Sequence, residues 1–188
     1  MKTGKIFRLY FIAVAVLSLC IVCSSFASAE NQNLHVKVMT RNMDAGTDFN
    51  LITTATDFEA AVMQTIDAIL QGRIEERAAR LAAEIAKAKP DIIALQEVTT
   101  WEIPIVSQNL DQLDLLMKAL RSCGQHYKLA AIQTLTQIEI PEVISFTDHN
   151  VILIKSGELN VLGSESHIYE QKMYFQLPDE TVIPFFGG

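Results

Sequence analysis

Pro90-Asp91-Ile92-Ile93-Ala94-Leu95-Gln96-Glu97-Val98 constrains the fold more than any other stretch of this chain. It is a short apolar run that opens on a proline and closes on a carboxylate. Apolar residues at successive positions need cover on both faces, so the run predicts an interior strand of a covered sheet. The preceding residues agree. Ile74, Ala78, Leu81, Ala82, Ile85 and Ala88 recur at helical spacing over 74–89, and Pro90 cannot continue a helix. A helix handed directly to a buried strand is a unit in which the helix covers the sheet. Glu97 then stands at the carboxyl end of the strand, where a packed sheet opens to water and layered folds place their chemistry. It is the first functional candidate; the plain alternative is a solvated strand-end acid.

Leu34 to Met39 alternates apolar and polar residues and predicts a first strand ending near Thr40, with Asn42 at its exit. Residues 44–56 are polar and contain Gly46, which reads as a loop. Phe58, Ala61, Val62, Ile66, Ile69 and Leu70 predict a helix over 57–70, closed by Gly72. Another helix spans 111–122 on Leu113, Leu116, Met117 and Leu120, with Gly124 as its C-terminal cap. Strands are expected at 127–132 and 150–155, the second ended by Ser156-Gly157. Two weaker strands follow near 172–177 and 181–185, joined by a turn at Pro178-Asp179. Helices separate the early strands, and strands dominate the later half.

The first 29 residues read as a secretory signal. Lys2, Lys5 and Arg8 precede an apolar run, Leu9 to Val22, that is short for a membrane span, and Ala27-Ser28-Ala29 offers a cleavage site. An uncleaved anchor is the alternative, but no stop-transfer pattern follows. The expected organisation is thus a leader over 1–29 and one domain over 30–188, secreted or periplasmic, with no stable membrane anchor after cleavage. The chain carries 15 Lys and Arg against 22 Asp and Glu, a formal net charge of −7. Cleavage removes three of the basic residues and none of the acidic ones. No basic stripe remains to neutralise phosphates, so tight duplex DNA binding is not expected. Cys20 and Cys23 lie in the leader, which leaves Cys123 alone and excludes an internal disulfide.

Three segments together resemble the endonuclease/exonuclease/phosphatase superfamily, the DNase I-like fold, and above all its secreted bacterial members. They are Val38-Met39-Thr40-Arg41-Asn42-Met43, Arg77 to Ile85, and the Pro90–Val98 block; Asp148-His149-Asn150-Val151-Ile152-Leu153 looks like a later strand of that family. The resemblance implies an α+β fold, a two-layered β-sandwich flanked by helices. It implies a divalent cation, usually Mg2+, and hydrolysis of a phosphodiester or phosphomonoester substrate. The family's first-strand Asn falls on Asn42 and its metal-binding Glu on Glu97. Magnesium takes one or two carboxylates and keeps waters and substrate phosphate as its other ligands. It would polarise the phosphoryl group and stabilise the leaving oxygen.

The departures are specific. The family also uses a later His, a Gly-Asp-x-Asn segment and a terminal Ser-Asp-His, and nothing after Lys155 matches them. Gly46 to Asn50 mimics the second motif with one extra residue, and reads as a loop. Thr147-Asp148-His149 mimics the third, and reads as the lead-in to a middle strand. The chain stops after the apolar Phe185-Phe186, as though only the N-terminal portion of the domain were present. The alternatives to an enzyme are therefore a truncated non-catalytic domain or an exported binding module. Arg41, Asp148 and His149 are the remaining substrate-binding candidates; Arg41 meets a phosphate or pairs with a carboxylate. Trp101 and Glu102 line a cleft, or Trp101 is a packing anchor. His35, His126 and His167 read as structural or surface groups, and Cys123 as a small packing residue.

Overall fold

The computed structural model describes residues 35–168, 172–176 and 182–186. Val36–Gly188 form one compact unit. The expected leader over 1–29 lies outside the described residues, as does the turn at Pro178-Asp179. The order is β1 (Val38–Asn42), α1 (Asn50–Thr53), α2 (Phe58–Gln71), α3 (Ile74–Ala88), β2 (Ile92–Ile103), a 3-10 turn (Pro104–Val106) and β3 (Gln108–Asp111). Then come α4 (Gln112–Ser122), β4 (Tyr127–Ile140), β5 (Ile144–Lys155), β6 (Lys172–Gln176) and β7 (Val182–Phe186).

The helices form where apolar spacing and end signals agree. Asp57 caps α2 by accepting from the Ala60 N–H, and Asp111 caps α4 by accepting from the Asp114 N–H. Gly124, with φ of 69°, turns the chain after α4 while the Gln125 N–H returns to the Leu120 carbonyl. Helix α3 has Glu75 and Glu76 in its first turn and Lys87 in its last, the order its dipole favours.

β1, β2, β5 and β4 form a mixed sheet in that order, with β3 also paired to β2. β1 runs parallel to β2, pairing Val38–Asn42 with Ile92–Gln96, and a parallel pair requires the long crossover that α1 to α3 supply. The other pairs are antiparallel. β6 and β7 make a separate hairpin. The class is α+β. Among the described residues no helix is long and apolar enough to cross a membrane.

Two apolar clusters hold the unit together. In the first, Ala78, Ala82 and Ile85 of α3 and Leu116 and Leu120 of α4 pack on Ile93, Leu95, Val98, Val151 and Leu153. In the second, Val62, Ile66 and Ile69 of α2 pack with Ala45, Trp101, Ile103, Ile144 and Phe146. Along β5 the first cluster takes odd-numbered residues and the second even-numbered ones. Successive side chains of a strand alternate, so the two clusters lie on opposite faces of β5.

The strands depart from expectation more than the helices. The first strand begins at Val38; Val36 and Val38 are exposed, while Met39 packs on the first cluster. The strand expected to close at Val98 runs on to Ile103, so Glu97 lies within β2 and not at its carboxyl end, and the strands expected at 127–132 and 150–155 extend to Ile140 and back to Ile144. A short helix, α1, interrupts the loop expected over 44–56.

Candidate active site

β2 has two edges. One is paired with β5 along most of its length; the other is shared by β1, opposite 92–96, and β3, opposite 100–103. Between them the ladder breaks, and Glu97 sits in that break. The Met43 N–H donates to the Gln96 carbonyl at 2.8 Å. Gln112, fully buried, accepts from the Thr99 N–H at 3.2 Å and donates to the Asp44 carbonyl at 2.8 Å. A side chain thus completes what a strand would otherwise supply, and ties the loop after β1 to β2. Gln112 was not singled out from the sequence, because its role depends on a gap that only the pairing reveals.

Glu97 is placed by a bulge. Leu95 pairs with Val151 and Val98 with His149, so β2 holds one residue more than β5 across this interval. In a regular strand residue 97 would return to the face of Leu95, inside the first apolar cluster. The extra residue lets Val98 take that face and frees the carboxylate. The backbone of Glu97 is left-handed, with φ of 52°, a conformation that costs a non-glycine residue about 1–2 kcal/mol. Such strain persists where surrounding contacts over-determine it, and it gathers at functional positions.

Those contacts are on hand. Asn42 Nδ2 donates to Glu97 Oε1 at 2.7 Å, and the Ala45 N–H donates to Oε2 at 3.1 Å. Asn42 is itself oriented, because its Oδ1 accepts from the Asp44 N–H at 2.7 Å. Ala45 also accepts from the Trp101 indole N–H at 2.8 Å. Trp101 is buried against Phe49 and Phe146, so it is the packing anchor of the two roles open to it, and Glu102 is exposed. The two residues expected at the ends of separate strands therefore meet through a direct hydrogen bond.

Asp148 belongs beside this pair. It lies on the face of β5 that carries Phe146, opposite Thr99 on β2 and Thr136 on β4. Its carboxyl is pushed up to about 6, first by desolvation and then by the charge of Glu97, against a backbone N–H that stabilises the anion. Three buried side-chain oxygens have no hydrogen-bond partner among the described residues: Thr47 Oγ1, Thr99 Oγ1 and Asp148 Oδ1.

The other candidates lie elsewhere. His149 follows Asp148 on an alternating strand and so projects from the opposite face. Its Nδ1 is 3.1 Å from Thr134 Oγ1; burial lowers its pKa, and the charge of Asp111 partly restores it. Arg41 is engaged by Glu84 of α3 through an ion pair that raises the guanidinium's pKa and lowers the carboxyl's. Arg41, Asn42, Asp44, Arg77, Glu84 and Gln112 are among the residues lining a cleft of about 360 Å³ between the exit of β1 and α3. His35, His126 and His167 are exposed. Cys123 is exposed as well, and so is not the packing residue its position after a helix suggested.

The residues fit the expected cation. Among the described residues no group of three or more His, Cys, Asp or Glu side chains is gathered as a cage, but magnesium asks for only one or two carboxylates. Each Glu97 oxygen accepts one N–H and keeps lone-pair capacity. An orphaned carboxylate oxygen lies on the adjoining strand. No protein-family model, curated protein or solved structure matches the chain.

Proposed function

We propose that the chain is an exported, divalent-metal-dependent phosphoesterase of the endonuclease/exonuclease/phosphatase type, with the DNase I-like sandwich as its parent architecture. The observation that carries this reading is the 2.7 Å bond from Asn42 to a Glu97 held in left-handed conformation at a bulge. A buried strand, an acid at a bulge within it and an amide from the parallel neighbour correspond to the parts that the sequence resemblance asks for. They come together across 55 residues of chain.

Glu97 would hold a Mg2+ ion, which supplies charge to polarise the phosphoryl group and stabilise the leaving oxygen. Asn42 fixes the carboxylate and aims its amide at the same space, where it orients the phosphate. Water is the nucleophile. A second reading, a domain that binds a phosphorylated ligand without turnover, draws support from His149, whose imidazole leaves from the far face of β5 and cannot serve as base beside Glu97. Hydrolysis of a panel of phosphomonoesters and phosphodiesters, with and without Mg2+, separates the two. Turnover that needs the ion and falls at least 100-fold in Glu97→Ala supports the enzyme. Saturable binding of the same compounds with no product supports the binding module.

A further inference from the structure

We propose that Asp148 and Thr99 complete the cation site begun by Glu97, making it an all-oxygen, two-carboxylate site built across the β2–β5 pair. This rests on the metal-dependent reading of Glu97. It goes beyond that reading by assigning a second anionic ligand and a hydroxyl, and by giving Asp148 a role on the ion instead of on the substrate.

Three observations converge on these residues. Thr99 and Asp148 are direct register partners on β2 and β5. Directly opposed residues share a face, with Cβ atoms about 4.5–5.5 Å apart. Thr99 is fully buried and Asp148 is half-buried, and each presents an oxygen with no partner among the described residues. An orphaned hydroxyl beside an orphaned carboxylate oxygen is costly unless something else satisfies both. The third observation links them to Glu97. Ala45 donates its N–H to Glu97 and accepts from Trp101, and Trp101 pairs with Phe146 on the face of β5 that carries Asp148. The Glu97 carboxylate is thereby drawn to the side of the sheet on which Thr99 and Asp148 stand.

The donor chemistry selects the ion. Two carboxylates and a hydroxyl, with no imidazole or thiolate, suit hard cations such as Mg2+, Mn2+ or Ca2+ better than zinc. A cation between the carboxylates converts their mutual repulsion into shared attraction and gives the orphaned oxygens a partner. Gln112, holding the Thr99 backbone N–H, fixes the strand position from which the hydroxyl projects.

The test is titration of the whole protein with MgCl2 and MnCl2, read by calorimetry, by thermal unfolding and by the electron paramagnetic resonance of bound Mn2+. These readouts need no substrate. Wild type should bind Mn2+ and unfold at a higher temperature in its presence. Asp148→Asn should weaken Mn2+ affinity at least 10-fold, and Thr99→Val, which keeps the shape of the side chain, about 3-fold or more. Both variants are checked for folding by circular dichroism. Should one fail to fold, the other carries the test alone. If Glu97→Gln loses the ion while Asp148→Asn and Thr99→Val bind it as wild type does, this assignment is overturned and Glu97 remains the lone anionic ligand. If wild type binds neither ion at millimolar concentration, the metal reading of Glu97 falls with it.

Discussion

At Glu97 the backbone conformation and the side-chain contacts oppose each other, and the balance is measurable. The left-handed backbone is unfavourable for any residue with a Cβ, whereas the bonds from Asn42 and Ala45 are favourable. Truncation to Ala removes the bonds and keeps the strain; truncation to Gly removes both. Glu97→Gly should therefore be more stable than Glu97→Ala by about 1 kcal/mol, the reverse of their order in an ordinary strand. Urea denaturation of both variants checks this, and equal midpoints would remove the strain argument. Asp148 gives a pH signature in the metal-free protein. Its carboxyl is pushed up to about 6 from an ordinary 3.8, so between these values the native state holds a proton that the unfolded chain has released. Stability then falls as pH rises through that interval and is unaffected by this group above it. Asp148→Asn should flatten the urea midpoint over that range; an unchanged slope would assign it to another group. The sequence made Asn42 legible because it ends a recognisable strand, and Glu97 because it closes an apolar run, although β2 continues past it to Ile103. Asp148 and Thr99 were not legible as a pair, because their meeting depends on a register set across 49 residues.

Helices were more legible than strands, for a physical reason. An α-helix announces itself by local spacing and by caps within four residues, and Asp57, Asp111, Gly124 and Pro90 mark ends close to those observed. A strand is defined by what it pairs with, so β4 and β5 run well beyond their apolar centres into Thr, Gln and Asp residues that gain cover only from neighbours. The alternation along β1 showed that the strand has two sides, but did not say which of them would meet the helices. Helix energetics can be separated by substitution. Asp57→Ala removes the cap of α2 and should cost about 1 kcal/mol. Ile85→Ala empties a fully buried position between α3 and the sheet and should cost about 2–5 kcal/mol. Thermal unfolding of the two variants should rank them in that order.

Across the whole unit, the sheet changes the face it buries, and the candidate site lies at the changeover. Helices α3 and α4 cover odd-numbered residues of β5, whereas α2 and the loop after β1 cover its even-numbered residues at the opposite end. Between the two clusters neither face is fully packed with hydrocarbon. Asp148, His149, Asn150 and the bulged Glu97 occupy that interval, all of them half-buried. A polar group can stand there without entering either core, and a ligand can reach it without breaking one. Neither the composition nor any single motif announces this arrangement; it follows from combining β5 parity with the β2 bulge. Adjacent residues at this end of β5 differ sharply in cover, which predicts unequal effects. Leu153 is 0% exposed under the helices, while Ile152, its neighbour on the same strand, is 42% exposed on the other face. Leu153→Ala should therefore cost about 2–5 kcal/mol. Ile152→Ala removes a similar hydrocarbon volume from a side already open to water and should cost less than about 1 kcal/mol. Equilibrium unfolding in urea measures both. A cost at Ile152 approaching that at Leu153 would mean that a further layer covers the second face in solution.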